Sequence, residues 1–339
     1  MNSPILDVKP LGNPPWETFD PFLFCVHHLD NYPSGNAKMG PDASLAGRQM
    51  GQDFARKDGW SMYHGEVVPG FPSHPHRGFE TITLARNGFI DHSDSLGATA
   101  RFGHGDVQWM TAGKGIQHSE MFPLVHAEKP NPTELFQIWL NLPAHDKMVD
   151  PYFTMLWADQ IPTFKFSDAV GVTHVVSVCG SLDGSPGPQP PPNSWASKPG
   201  ADVAIMTIKM SPNARWTVPS ASAGVNRALY FFSGGSLKMA DRSLAAGVRA
   251  LVEPTCPITL VNGDRESEIL LLQGRPIREP VAHYGPFVMN TREELDVAFS
   301  DYRKTRFGGW PWKSTDPVHE RESKRFAVHA DGRREDPTS

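Results

Sequence analysis

The stretch Gly70-Phe71-Pro72-Ser73-His74-Pro75-His76-Arg77-Gly78-Phe79-Glu80-Thr81-Ile82-Thr83-Leu84 decides how the rest of this chain is read. In extended backbone, successive side chains point to opposite faces, so residues two apart share a face. His74, His76, Glu80, Ile82 and Leu84 have one parity, which directs two imidazoles, a carboxylate and two aliphatic groups toward one interior. A β-barrel interior, polar at a site and apolar around it, accommodates that mixture. Further on, Gly105-Asp106 is a turn signal. A strand-like run and a glycine-rich turn follow, leading to His118-Ser119-Glu120. His118 and Glu120 again stand two apart and face one side. Three neutral imidazoles and one carboxylate on two paired strands make a mixed nitrogen and oxygen site. With positions left open, that set suits non-haem Fe(II) and also admits Mn, Ni, Co, Cu or Zn.

The rest of the chain reads as all-β. Pro (32) and Gly (30) punctuate it into short segments such as 80–84, 135–140, 175–178, 203–208, 229–232 and 269–272, rich in β-branched and aromatic residues. Many short strands between turn signals indicate a sandwich or barrel. One helix is expected near 291–304, where Asn290-Thr291 precedes Glu293, Glu294, Leu295, Val297, Ala298 and Phe299 in a capped amphipathic pattern. The expected division is 1–145 for a metal-binding barrel and 146–200 for a crossing segment with a Pro/Gly-rich linker. Residues 201–309 then form a second, degenerate barrel carrying the helix, and 310–339 a polar, irregular tail wrapping the folded body. In the second half, Gly234-Gly235 and Gly263-Asp264 mirror Gly88 and Gly105-Asp106, but no histidine pair accompanies them and His283 stands alone. The segment 31–72 reads as a long loop, of the kind usually kept for function.

Composition narrows the partners. At 339 residues, with 39% hydrophobic residues, the chain is long enough for two domains with real cores. The 37 acids and 32 bases leave a net charge of −5, without any basic concentration that would track phosphates, so no direct nucleic-acid partner is expected. Cys25, Cys179 and Cys256 have no metal-like or redox spacing, which suits a reducing compartment. The first residues show neither a basic nor an apolar signal region, and no apolar run reaches membrane-spanning length. A cytoplasmic monomer is the expectation.

The blocks HPHRGFET (His74–Thr81), HSDSLG (His92–Gly97) and GDVQWMTAGKGIQHSEM (Gly105–Met121) closely resemble the signature of the pirins. DPFL (Asp20–Leu23), NLPAHDKM (Asn141–Met148) and EPVAHYGPFVMNTREEL (Glu279–Leu295) extend the resemblance from about residue 15 to about 308. It implies two tandem cupin domains, antiparallel β-barrels of jelly-roll type, with an iron-like metal in the first only. The family pattern falls on His74, His76, His118 and Glu120 as the metal ligands. It also implies a quercetin 2,3-dioxygenase-like activity on a small aromatic substrate. A flavonol 3-hydroxyl would lose its proton to Glu120 or Glu80, dioxygen would add across the heterocycle, and carbon monoxide would leave. The alternative it implies is a redox-sensing regulator that binds a transcription factor or a metabolic enzyme, with the metal as switch. The 31–72 segment and the tail after Gly309 are longer than the family pattern.

Other polar and aromatic residues have plainer roles available to them. Glu80 stands evenly between a carboxylate that orients a ligand or moves a proton and a buried structural acid. Arg77 reads better as a surface ion pair than as a guide for an anionic substrate. His92 with Asp94 beside a serine is a weak match to a catalytic triad, and the DSLG stretch (Asp94–Gly97) reads instead as a turn between strands. His27, His28, His64, His104 and His126 have no ligand-like spacing. Trp109 and Met110 read as core, and Cys25, between Phe24 and Val26, as an inert buried thiol.

Overall fold

The computed structural model describes residues 3–338, which form strands, turns, short 3₁₀ segments and one α-helix, Arg292–Thr305. The chain divides into two compact units. One holds the residues up to Val26 together with Trp139–Asn141 and Gln160–Arg278; the other holds His27–Ile138, Leu142–Asp159 and the residues from Glu279 on. This division crosses the boundaries expected from sequence. Two eleven-residue strands, Phe22–Tyr32 and Asn131–Asn141, have residues in both units. The late helix is grouped with the motif-bearing unit rather than with the second barrel.

The motif-bearing unit is built from two antiparallel sheets. One orders the strands Arg334–Glu335, Phe326–Val328, Thr99–Gly103, Phe89–Asp94, Ile116–Met121 and Gly70–His76; the other orders Tyr152–Leu156, Val107–Thr111, Phe79–Asn87, Asn131–Asn141 and Phe22–Tyr32. Ala85, Leu135, Phe153 and Met155 of the second sheet pack with Ile90, Ala100 and Phe102 of the first in one buried cluster. The other unit repeats the plan with a seven-stranded and a four-stranded sheet around Val175, Met206, Ile208, Trp216, Leu229 and Leu271. Two all-β units and one late helix are what the strand and turn punctuation predicts.

The helix begins where the sequence places it. Thr291 accepts from the Glu294 amide while Glu294 reaches back to the Thr291 amide, a reciprocal cap that satisfies two otherwise orphan donors. Leu295 and Ala298 bury against Phe287, Met289 and Phe307. Arg77 is buried, not at the surface. Its Nη1 pairs with Asp301 at 2.9 Å, its Nε donates to Lys114 O at 2.6 Å, and its guanidinium lies over the Phe307 ring. It clamps the helix to the barrel and is not available to steer substrate.

The tail is more ordered than its polar composition suggests. Phe326–Val328 adds to the sheet edge beside Thr99–Gly103, with Phe326 opposite Arg101. The fully buried Arg101 grips Asp91 through two 2.7 Å bonds. It also donates to the carbonyls of His319, Glu320 and Ser323, and the His319 amide donates to Asp91. The 31–72 segment likewise has little regular structure but firm anchors. Arg48 stacks 3.3 Å from the Trp60 ring centroid and pairs with Asp53 at 2.9 Å, while Asp30 accepts from Ser61 N and Tyr63 Oη.

Removing one member of a buried ion pair strands the other charge, at a cost of about 3–5 kcal/mol. Arg101→Leu should therefore destabilise the protein by that order and expose the tail to protease, while the double change Asp91→Leu/Arg101→Leu should cost less. Urea unfolding with limited proteolysis reads both; an Arg101→Leu protein of parental stability with a protected tail would refute the anchoring role.

Candidate metal centre

Strands Gly70–His76 and Ile116–Met121 pair antiparallel, and His74 lies directly opposite His118. Side chains opposite each other in a ladder share a face, so the two histidine motifs converge. Ring centroids lie 4.5 Å apart for His74 and His118, 4.9 Å for His76 and His118, and 4.8 Å for His74 and His76. One ring nitrogen from each falls within 4.8 Å of the other two. The His74 Nδ1 lies 2.9 Å from Pro72 O, an acceptor only. Nδ1 therefore carries the proton, and Nε2 is left as the donor toward the cluster.

Burial keeps these rings neutral. Desolvation pulls His74 down to about 4 and holds His76 and His118 well below the usual imidazole range, with the neighbouring rings adding to the effect. Neutral imidazole is the form that ligates. The His118 ring is fully buried, and neither of its nitrogens has a hydrogen-bond partner. An unsatisfied buried polar atom costs free energy, and a cation among the three rings would remove that cost at one nitrogen. The residues present thus fit a metal.

Glu120 stands beside the triad rather than within it. Its Oε2 lies 3.8 Å from His118 Nε2, while Oε1 is 2.8 Å from the Thr83 hydroxyl and Oε2 is 3.4 Å from Gln137 Nε2. Burial raises its proton affinity, and the Thr83 bond partly offsets this. Phe79 packs edge-on to His76 at 5.0 Å, and Phe71 borders His74 at 6.3 Å.

The shared parity of His76 and Glu80 does not survive folding. The strand Gly70–His76 ends at the turn Arg77-Gly78, and Phe79–Asn87 belongs to the other sheet. Gly78 has φ +86°, and a Cβ there would meet Val288 O at 1.9 Å, so the turn needs glycine. After it, Phe79 and Thr83 face the histidines, while Glu80 points to the other face of its strand. There Glu80 Oε1 accepts from Trp109 Nε1 at 3.2 Å and Thr111 Oγ1 at 2.8 Å. These bonds hold the buried Glu80 carboxylate on the face of its strand away from the histidines.

The DSLG stretch forms the expected turn between strands, with the Gly97 amide donating to Asp94 O. His92 and Asp94 lie on the strand Phe89–Asp94 that leads into it, opposite Glu120 and His118 respectively. Both are fully buried, with His92 Nε2 3.3 Å from Asp94 Oδ2 and its ring 5.6 Å from that of His118. Alternation along 90–94 and 116–120 carries this signal, but only the strand pairing shows which faces meet. His27, His28, His64, His104 and His126 are not members of the cluster.

His118→Ala should abolish stoichiometric metal binding, whereas His283→Ala, at an exposed position, should leave it intact. Elemental analysis decides, and equal metal in His118→Ala and the parent refutes the centre. A second expectation concerns acid. The unfolded chain binds protons at imidazoles near pH 6.5, whereas His74 does so only near 4 and His28, also desolvated, near 3. Stability of the metal-stripped protein is therefore fully present above about pH 6.5 and falls as pH drops toward about 4. Buried Asp30, pushed up to about 6, opposes this as Glu120 does, but four histidines outweigh them. A denaturation midpoint that does not fall from pH 7 to pH 5 would contradict it.

Comparison with known proteins agrees with the geometry. The pirin family model matches residues 15–140, and that of the pirin C-terminal cupin domain matches 205–308. Human pirin is 34% identical over 265 residues, 74% of this chain and 83% of its own length. A pirin-like protein of Caulobacter vibrioides is 34% identical over 300 residues, 88% of this chain and 91% of its own. The crystal structure of a quercetin 2,3-dioxygenase from Acinetobacter baumannii matches with a TM-score of 0.70 at 26% identity, covering 90% of this chain and 98% of that one. Two tandem cupin domains, the first with convergent histidines, and matches in both halves lead to one conclusion: this chain belongs to the pirin family.

Proposed function

We propose that this protein is a metal-dependent dioxygenase acting on flavonols such as quercetin, with His74, His76 and His118 holding the metal and Glu120 as fourth donor and base. The observation that carries the reading is the buried triad of neutral imidazoles in which His118 has both nitrogens unbonded. Fe(II) is the ion the donor set suits best, with Mn, Ni, Co, Cu or Zn also admitted. Any of these ions, held there by His74, His76 and His118, would supply Lewis acidity, and a redox-active one such as Fe(II) would also supply a route for electrons to dioxygen.

The chain's own groups do the rest. Glu120 accepts the proton of the flavonol 3-hydroxyl, and its burial raises its basicity for that task. Thr83 and Gln137 hold the carboxylate in place from the facing sheet. Phe71 offers aromatic surface to a planar substrate, and the fully buried Phe79 keeps water from the rings. The similarity to the quercetin 2,3-dioxygenase of Acinetobacter baumannii supports the substrate class. Three free cysteines, two of them buried, support a reducing cytoplasm. Among the described residues no helix is long and apolar enough to cross a membrane.

The test is oxygen uptake with quercetin and related flavonols, alongside metal content, for the parent and Glu120→Gln. The variant keeps shape but loses the charge, so uptake should fall by about 10²–10⁴-fold, the usual weight of a positioned base. A metal-loaded parent that consumes no oxygen with any flavonol would overturn the reading. Partner capture that differed between the metal's oxidation states would then favour a regulatory role.

A further inference from the structure

Five arginines are buried: Arg48, Arg77, Arg101, Arg227 and Arg249. Four have carboxylate partners, namely Asp53, Asp301, Asp91 and the Asp7–Glu17 pair. Arg227, 4% exposed, is the exception: among the described residues no carboxylate stands within ion-pair distance of it. Its Nε donates to Gln273 Oε1 at 2.7 Å and its Nη1 to Pro219 O at 2.6 Å, while Nη2 makes no such bond. Asp202 is held off by the same glutamine, whose Nε2 donates to Asp202 Oδ1 at 3.1 Å, and by the Ser222 amide at 3.2 Å. Burial lowers the Arg227 pKa to about 10, with Asp202 acting in the other direction, so the guanidinium is charged at neutral pH. Buried charges are normally paired, because desolvation is otherwise uncompensated.

The same guanidinium borders a cavity of about 440 Å³ at one end of the second barrel's interior. Arg227 lies opposite Gln273, Gln273 opposite Ala204, and Leu271 opposite Met206, so these side chains share the inner face. Met206, Trp216 and Leu271 form an apolar wall, and Ser220 and Ser222 a polar edge. Cavities of this size and makeup accommodate small ligands.

We propose that this second-barrel cavity is a binding site for a small organic monocarboxylate with an aromatic or aliphatic body. The carboxylate pairs with Arg227, and the body lies against Met206, Trp216 and Leu271. One guanidinium with Asp202 nearby disfavours a dianion, and the apolar wall has no use in binding a bare inorganic anion. Arg is suited to the task because its planar fork matches a carboxylate. The site is separate from the histidine triad, so it does not depend on the metal chemistry proposed above.

The experiment is calorimetric titration of the full-length, metal-loaded protein with benzoate and phenylacetate, against benzamide and inorganic phosphate. The acids should bind saturably at millimolar concentration or below, and at least about tenfold more tightly than benzamide, reflecting a charge-assisted pair. Arg227→Leu should lose about tenfold or more of acid affinity while keeping its metal and its unfolding midpoint. Chelator-stripped parent should bind the acids as before. The proposal falls if no acid binds, if benzamide or phosphate binds as tightly as benzoate, or if a folded Arg227→Leu binds undiminished. Should Arg227→Leu fail to fold, the comparison of acid with amide on the parent still decides.

Discussion

Gathering three imidazoles in an interior that admits little water is the constraint on which the first barrel is organised. Desolvation drives the rings to their neutral form, and neutral rings a few ångströms apart leave donor nitrogens aimed at a common point. Two hydrogen-bonded strands supply the geometry: register, not loop flexibility, sets His74 against His118. The facing sheet supplies Thr83 and Gln137 to hold Glu120. A site assembled on paired strands of two packed sheets is stiff, which suits a centre whose donors must already converge before a cation arrives.

That stiffness is reinforced from the chain's far end. The helix Arg292–Thr305 is clamped through Arg77 and Asp301, and Tyr302 Oη meets Gln117, next to His118, at 3.0 Å. The tail adds a strand at the sheet edge and wraps the buried Arg101–Asp91 pair, on the strand that also carries His92 and Asp94. Covering an exposed sheet edge removes a template for unwanted pairing. Segments remote in sequence thus support the strands that carry the three histidines.

The two barrels have taken different chemistry on one plan. The first places neutral nitrogen donors inside; the second has no such cluster among the described residues but keeps a buried cation beside a cavity. Among the described residues every other buried guanidinium is matched by a carboxylate, whereas Arg227 borders the cavity without one.

Much was determined by local sequence. Proline and glycine punctuation with β-branched runs specifies short strands, Thr291 with Glu294 specifies the helix start, and the two i, i+2 pairs specify which side chains share a face. These are short-range rules of backbone geometry, and they hold wherever the strand continues. Where the strand stopped, they failed. The Arg77-Gly78 turn carried Glu80 into another sheet and onto the opposite face, and parity cannot report such a break. Strand pairing is equally invisible to local pattern, so His92 and Asp94 emerged beside His118 only once the ladder had formed. The ordering of the tail and of residues 31–72 rests on polar partners distant in sequence, 222 residues apart for Arg101 with Ser323 and 285 for Arg321 with Asn36. Tertiary structure alone decided those contacts, because their free energy comes from burial that no single segment can provide.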